Sequence, residues 1–476
     1  MSDTNSFGAA GDPRPSLGLI LLPVVGIVVF LGVGSGLLGL SSHAPLLWSL
    51  VLTGLVAHYG IGLSWDDIAD GITDALEAGM GAILILFVIY ALIATWIAAG
   101  TIPGLMYYGL GVLTPQVFLP ATALLAAVVA FAIGSSWTTA GTLGVAFIGI
   151  GSGLGVPAPM TAGAVLSGAY AGDKQSPLSD TTNLAAAVTG TDLYDHIRGM
   201  RWGTLLAFGG AVLLYAWLGL RAGGAIPAGR VAEIRSALAA TYDLSPLVFL
   251  PLVVTFGLAL WGRPALPTLV AGVFAGVATT VLLQGASFTA AWGTFLNGTA
   301  PETGLSLVND LLAIGGIAGS AWTISVVVAA LSLGGVLDAA GVLRALARRL
   351  ADLVWSPGSL VAGTGVAAFA TNFFSAQQYM SIVVPGMTLG DLYEEYGLDS
   401  RELSRAVEAV GTPSGALLPW HAGGVYMATV FGVPTLAYAP YYFFAFLSPL
   451  VLFAMAGTGL AIGEGTPDRT VASADD

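Results

Sequence analysis

Gly172-Asp173-Lys174-Gln175-Ser176-Pro177-Leu178-Ser179-Asp180-Thr181-Thr182-Asn183 is a polar run set inside an apolar stretch, which leads in from Ala158 to Ala171 and leaves through Leu184 to Val188. Read as one membrane span, it puts two carboxylates and an ammonium at membrane depth. That costs several kcal/mol unless the charges face a wet cavity or one another, so a functional reading comes first. Gly172 permits unusual dihedrals, Pro177 disfavours helix at Ser176, and Ser179 or Asp180 can cap a new helix near Thr181. The spacing therefore predicts a helix that breaks and restarts. Inside a bilayer such a break must line a cavity or be covered by protein, and it is how transporters build cation sites near the midplane.

Around this stretch the composition is that of an integral membrane protein: 476 residues, 56% hydrophobic, only 9% charged, with a mean hydropathy of +0.86. The first apolar segment, 17 to 38, is too long for a signal-peptide core and is expected to be retained. A formal charge of −13 argues against nucleic acid as a partner, leaving membrane lipid and small ions. Without cysteine there are no disulfides, thiolate metal sites or thiol nucleophiles. No nucleotide loop, metal-ligand cluster or nucleophile triad emerges, so no enzyme and no cofactor is expected.

The chain divides into a polar tail (1–16), a first repeat (17–220), a linker (221–243), a second repeat (244–456) and an acidic tail (457–476). Spans read as 17–38, 44–62, 80–99, a broken 158–190 and 202–220, then 244–261, 265–284, 311–337, a broken 403–431 and 434–456. Between the second and third, Trp65, Ile68, Ile72 and Leu76 recur at helical spacing against acids, which predicts a separate surface helix. Two further apolar runs are interrupted by polar tips. One is 118–155, with Ser135, Ser136, Thr138 and Thr139 at its tip; the other is 360–389, with Thr371, Asn372, Ser375 and Gln377. Arms of about 16 residues, about 24 Å at helical rise, fall short of a bilayer of about 30 Å and predict re-entrant hairpins. Ser136 to Gly172 and Ser375 to Gly411 are both 36 residues apart, as a duplication requires.

The fold class expected is thus all-α and polytopic: about ten spans plus two hairpins, in two repeats each carrying a broken helix. Five spans per repeat make the second inverted relative to the first, a transporter plan. Ten arginines, Arg14 and Arg469 among them, fall on one side against Arg221, Arg230 and Arg235 on the other. That bias predicts both termini in the cytoplasm of a cell-membrane protein.

Gly168-Ala169-Tyr170-Ala171-Gly172-Asp173-Lys174, Ser176 to Asn183, and Gly190-Thr191-Asp192 closely resemble the signature of the NhaC-type sodium/proton antiporters. The resemblance continues at Gln378-Tyr379, Gly411-Thr412, Leu418-Pro419-Trp420, Gly424 to Ala428 and Gly432 to Tyr438, covering most of the chain. It implies a secondary antiporter exchanging sodium for protons, although similar proteins exchange organic acids such as malate and lactate; it leaves room for a homodimer. Two positions depart from the pattern: His421 stands where asparagine is more usual, and Ala409 where a second acid is common.

Asp173 and Asp180 are the expected sodium and proton ligands, because a partly dehydrated carboxylate takes up either ion and such competition gives antiport directly. Lys174 reads as an internal counter-ion to Asp173, as a group sharing the proton load, or as a side chain snorkelling to the interface. Ser176, Ser179, Thr181, Thr182 and Asn183 supply neutral oxygens of the kind a hard cation takes, though each is also a natural helix cap. In the second break, Glu408 is a site carboxylate or a gate residue, Thr412 and Ser414 are further oxygens, and His421 is a proton carrier or a structural histidine. An organic anion or amino acid as cargo would want a cation in the cavity, for which the sequence offers Lys174 or His421.

Overall fold

The computed structural model describes residues 16–221 and 228–459. The tails expected at 1–16 and 457–476 fall almost wholly outside these, as do Arg14 and Arg469. Among the described residues the protein is helical apart from one isolated bridge, Thr299 to Ile314. Seven helices are long and apolar enough to cross a membrane, and two bent pairs, Gly229–Thr241 with Pro246–Leu260 and Thr435–Tyr441 with Phe443–Thr458, raise this to nine. One of the seven, Pro115–Ile133, is the first arm of the expected first hairpin; at 19 residues it is longer than the arm read from the sequence and is not too short to cross. The others, the bent pairs and the two broken spans account for all ten spans read from the sequence.

Several boundaries move. The separate surface helix expected at 64–77 is the beginning of one 34-residue helix, Trp65–Ala98. The Ser64 hydroxyl accepts from the Asp67 amide while the Asp67 carboxylate accepts from the Ser64 amide, and no proline follows to stop the helix before the membrane. The expected linker contains the helix Ala228–Thr241, which packs on Thr101–Val112, another helix without a counterpart in the sequence reading. The first hairpin arm begins at Pro115 rather than Phe118, because proline at the first helical position forfeits only a donor that has no partner there.

The duplication is visible in the hairpins. Pro115–Ile133 and Pro357–Ser375 are each 19 residues long, each starts on proline, and each is followed by a left-handed residue, Gly134 or Ala376. Structural equivalence therefore pairs Gly134 with Ala376, a register slightly different from the pairing of Ser136 with Ser375. Ala376, at φ 56°, is the one non-glycine with positive φ among the described residues, a strain that is held only where surroundings enforce it.

Both predicted breaks are present, the second later than expected: Glu408, Thr412 and Ser414, read as part of it, still lie in the helix Ser400–Ser414, and the interruption falls around Pro419. Ala158–Asp173 stops and restarts as Asp180–Thr189, and Ser400–Ser414 passes through a short 3-10 turn and an extended Leu418 before Ala422–Phe431. The broken spans run antiparallel to each other. The Thr191 hydroxyl donates to Ser400 (3.0 Å), and the Thr181 hydroxyl donates to Glu408 (3.3 Å), so the end of one span lies beside the start of the other.

Candidate functional site

Two breaks and two hairpin tips converge. The Ser136 amide, at the start of the helix after the first tip, donates to Asp173 Oδ2 at 3.0 Å, using a helix-start N–H that has no helical partner. Asp173 is 2% exposed. Its second oxygen, Oδ1, is buried without a hydrogen-bond partner, although the Ser136 and Ser179 side chains lie nearby. Trp137 stacks on Tyr426 at 4.5 Å between centroids, and the Tyr426 hydroxyl donates to the Trp137 carbonyl, so the first tip also grips the second broken span.

The second tip does the same in reverse. Asn372 is fully buried; its amide donates to the Gly411 carbonyl (2.7 Å) and to Ser414 (3.0 Å), and its carbonyl oxygen meets His421 Nε2 at 2.7 Å. His421 Nδ1 accepts from the Gly423 amide and caps Ala422–Phe431, so both ring nitrogens are engaged, with the proton on Nε2. The Ala422 amide donates to the carbonyl of strained Ala376. Tyr379 reaches across to the first break, its hydroxyl donating to Asp180 Oδ2 at 2.5 Å.

These elements surround a cavity of about 430 Å³, walled on the other side by Gly79, Ala82 and Ile85 of the long helix and by the turn around Arg263. Of the expected site residues, Asp173, Asp180, Thr181, Ser135, Ser136, Thr138, Gln377 and His421 line it. The others are placed around it. Asn183 is exposed and donates to the carbonyls of Pro177 and Ser179; Ser179 caps its helix; Ser176 accepts from the Leu178 amide. Thr139 bonds back to Ser135, Ser375 closes its own loop against Gln377, and Thr371 is buried. Thr182, Thr412 and one oxygen of Glu408 are buried without a hydrogen-bond partner, as is the Thr138 hydroxyl at the cavity wall. Glu408, fully buried, touches the site through Thr181 rather than lining the cavity.

Lys174 also turns away from the cavity. Its ammonium lies 5.6 Å from the Phe444 ring centroid and it shares a small cleft with Arg405, Thr204 and Ser448; among the described residues no ion pair joins it to Asp173. A guanidinium, that of Arg263, does line the cavity, and nothing but its place at the end of a span marks it in the sequence. A second cavity of about 560 Å³ adjoins the first through Gln377, which lines both; Asp67, Asp70, Asp74 and Asp338 face it.

Comparison with known proteins places the chain among membrane antiporters. A family model described as the Na+/H+ antiporter family matches residues 15–172 and 168–460. The chain is 53% identical to the arginine/ornithine antiporter ArcD of Halobacterium salinarum, over 96% of this chain and 95% of that one. It is 35% identical to the Na(+)/H(+) antiporter NhaC of Alkalihalophilus pseudofirmus, over 95% and 98%, and 36% identical to the malate-2H(+)/Na(+)-lactate antiporter of Bacillus subtilis, over 82% and 83%. With its paired breaks, its hairpin tips and this breadth of similarity, the chain belongs to the Na+/H+ antiporter family.

Proposed function

We propose that this antiporter exchanges cationic amino acids, of the arginine and ornithine kind, by alternating access around Asp173 and Asp180. The observation that carries the reading is the size of the cavity. At about 430 Å³ it falls in the range of small-molecule sites and far exceeds what a dehydrated ion needs. Two carboxylates on its wall suit a cargo with more than one positive group. The relative at 53% identity is named for arginine and ornithine, which supports the same cargo here. Antiparallel broken spans supply the two-sided framework that alternating access uses.

A second reading, sodium/proton exchange, has its own support in the buried unpartnered oxygens of Asp173, Thr182, Glu408 and Thr412, which are of the type hard cations take. One experiment separates the two. In proteoliposomes loaded with ornithine, labelled arginine should enter much faster than into empty vesicles, with malate-loaded vesicles behaving as empty. Uptake indifferent to internal ornithine, together with proton release on a sodium pulse, would overturn the amino-acid reading in favour of the ion one.

Tyr379→Phe tests the tether on Asp180. It removes one hydrogen bond to a charged group at a partly exposed residue, worth about 1 kcal/mol, so the apparent KM for arginine should rise roughly fivefold with little change in maximal rate. An unchanged KM would mean that Asp180 needs no positioning by the second tip.

A further inference from the structure

The cavity contains a group that a pure cation site does not use. Arg263 lines it from the turn Trp261-Gly262-Arg263-Pro264, between the helices Leu250–Leu260 and Ala265–Leu282. That turn is held firmly. Gly262 is left-handed at φ 73°, the Arg263 amide donates to the Leu258 carbonyl at 3.1 Å, and Pro264 fixes the entry to the next helix. The guanidinium carbon sits 4.5 Å from the centroid of a Trp261 ring. A ring-face contact of this kind uses none of the guanidinium's N–H donors, which suit a planar oxygen pair. Among the described residues Arg263 takes part in no ion pair.

Among the acidic and basic side chains that line the cavity are two carboxylates, Asp173 and Asp180, and one guanidinium, Arg263; His421 also faces it but has both nitrogens engaged. A basic α-amino acid carries the complement: an α-ammonium, a side-chain cation and one carboxylate. Arg263 is exposed on this lining, and a sodium ion would leave its donors without a partner from the cargo. We propose that Arg263 is a specificity-determining residue that receives the α-carboxylate of the cargo through its N–H fork, while Asp173 and Asp180 receive the two cationic ends. The cavity therefore selects amino acids over the corresponding amines. This rests on the amino-acid reading of the cavity and adds to it the recognition of the carboxylate.

Agmatine, which is arginine without its carboxylate, is the discriminating probe. With the full-length protein in proteoliposomes, the concentrations of unlabelled arginine and of agmatine that halve labelled-arginine uptake are compared for wild type, Arg263→Ala and Arg263→Lys. Loss of a charge-assisted carboxylate contact at a cavity rim should cost on the order of tenfold in affinity. Wild type should thus prefer arginine over agmatine by about that factor, Arg263→Ala should show a ratio near one, and Arg263→Lys should fall between them, keeping the charge but not the fork. Thermal stabilisation by agmatine, equal in wild type and Arg263→Ala, reports that the variant is folded with its acidic end intact. A wild-type ratio near one, a ratio unchanged in Arg263→Ala, or loss of agmatine binding along with arginine would each overturn the assignment. Absence of arginine exchange by the wild type itself instead sinks the underlying reading of the cargo.

Discussion

Asp173→Asn is expected to abolish exchange while leaving the protein folded. The asparagine carbonyl can still accept the Ser136 amide, so the link between the first tip and the first break survives. What disappears is the charge on the one cavity carboxylate that is 2% exposed and has an oxygen without a partner. A cation entering the cavity would lose a desolvated counter-charge, an effect of about 2–5 kcal/mol, and uptake at subsaturating arginine should fall at least about thirtyfold. Ornithine-driven uptake of labelled arginine gives the readout, and the elution profile and melting temperature in detergent give the control. Near wild-type uptake by this variant would remove Asp173 from the site.

Gly168→Val should have the largest effect on the fold. A Cβ at Gly168 would run into the Ala123 carbonyl oxygen of Pro115–Ile133, and one at Gly172 would run into that of Ala127. The two helices touch backbone to backbone, as small residues allow in membranes where lipid supplies no driving force for association. Valine forces them apart, at a cost of about 3 kcal/mol or more, as overpacking does when backbone cannot yield. Gly209→Val is the matched control, since a Cβ there meets nothing within 4 Å. Fluorescence-detected size exclusion and thermal unfolding should show Gly168→Val aggregated or strongly destabilised and Gly209→Val like wild type. Equal melting temperatures would mean that the helices separate at no cost.

The polar run at 172–183 could be read because charge inside an apolar stretch has few structural excuses, and because proline and glycine mark the ends of the helices they interrupt. The same logic located the second break and both tips. Other features depend on direction rather than composition. Lys174 follows Asp173 in sequence, yet consecutive residues at a helix end point about 100° apart, and one faces the cavity while the other faces Phe444. His421 looked free to carry a proton; its two bonds, to Asn372 and Gly423, come from a tip and a turn whose approach no local pattern encodes. Arg263 beside a tryptophan at the end of a span has the appearance of an interfacial anchor. Only the fold brings it to the lining of the cavity that Asp173 and Asp180 share. The helices Thr101–Val112 and Ala228–Thr241 were missed because each is too short to span and carries little periodicity, their pairing being tertiary.

The seating of Gly168 and Gly172 also bears on motion. Helices in backbone contact leave no room to slide, so Pro115–Ile133 and Ala158–Asp173 are expected to move as one body that carries Asp173. Asp180 belongs to the next helix, which packs on Met380–Glu395 and Ser400–Ser414 and is moored to the second tip by Tyr379. The two carboxylates of one cavity are therefore anchored to different helices with different neighbours. On the proposed exchange of a doubly cationic cargo, rocking of the first hairpin against the second would alter the span between them, and the grip on that cargo would then report which way the transporter faces.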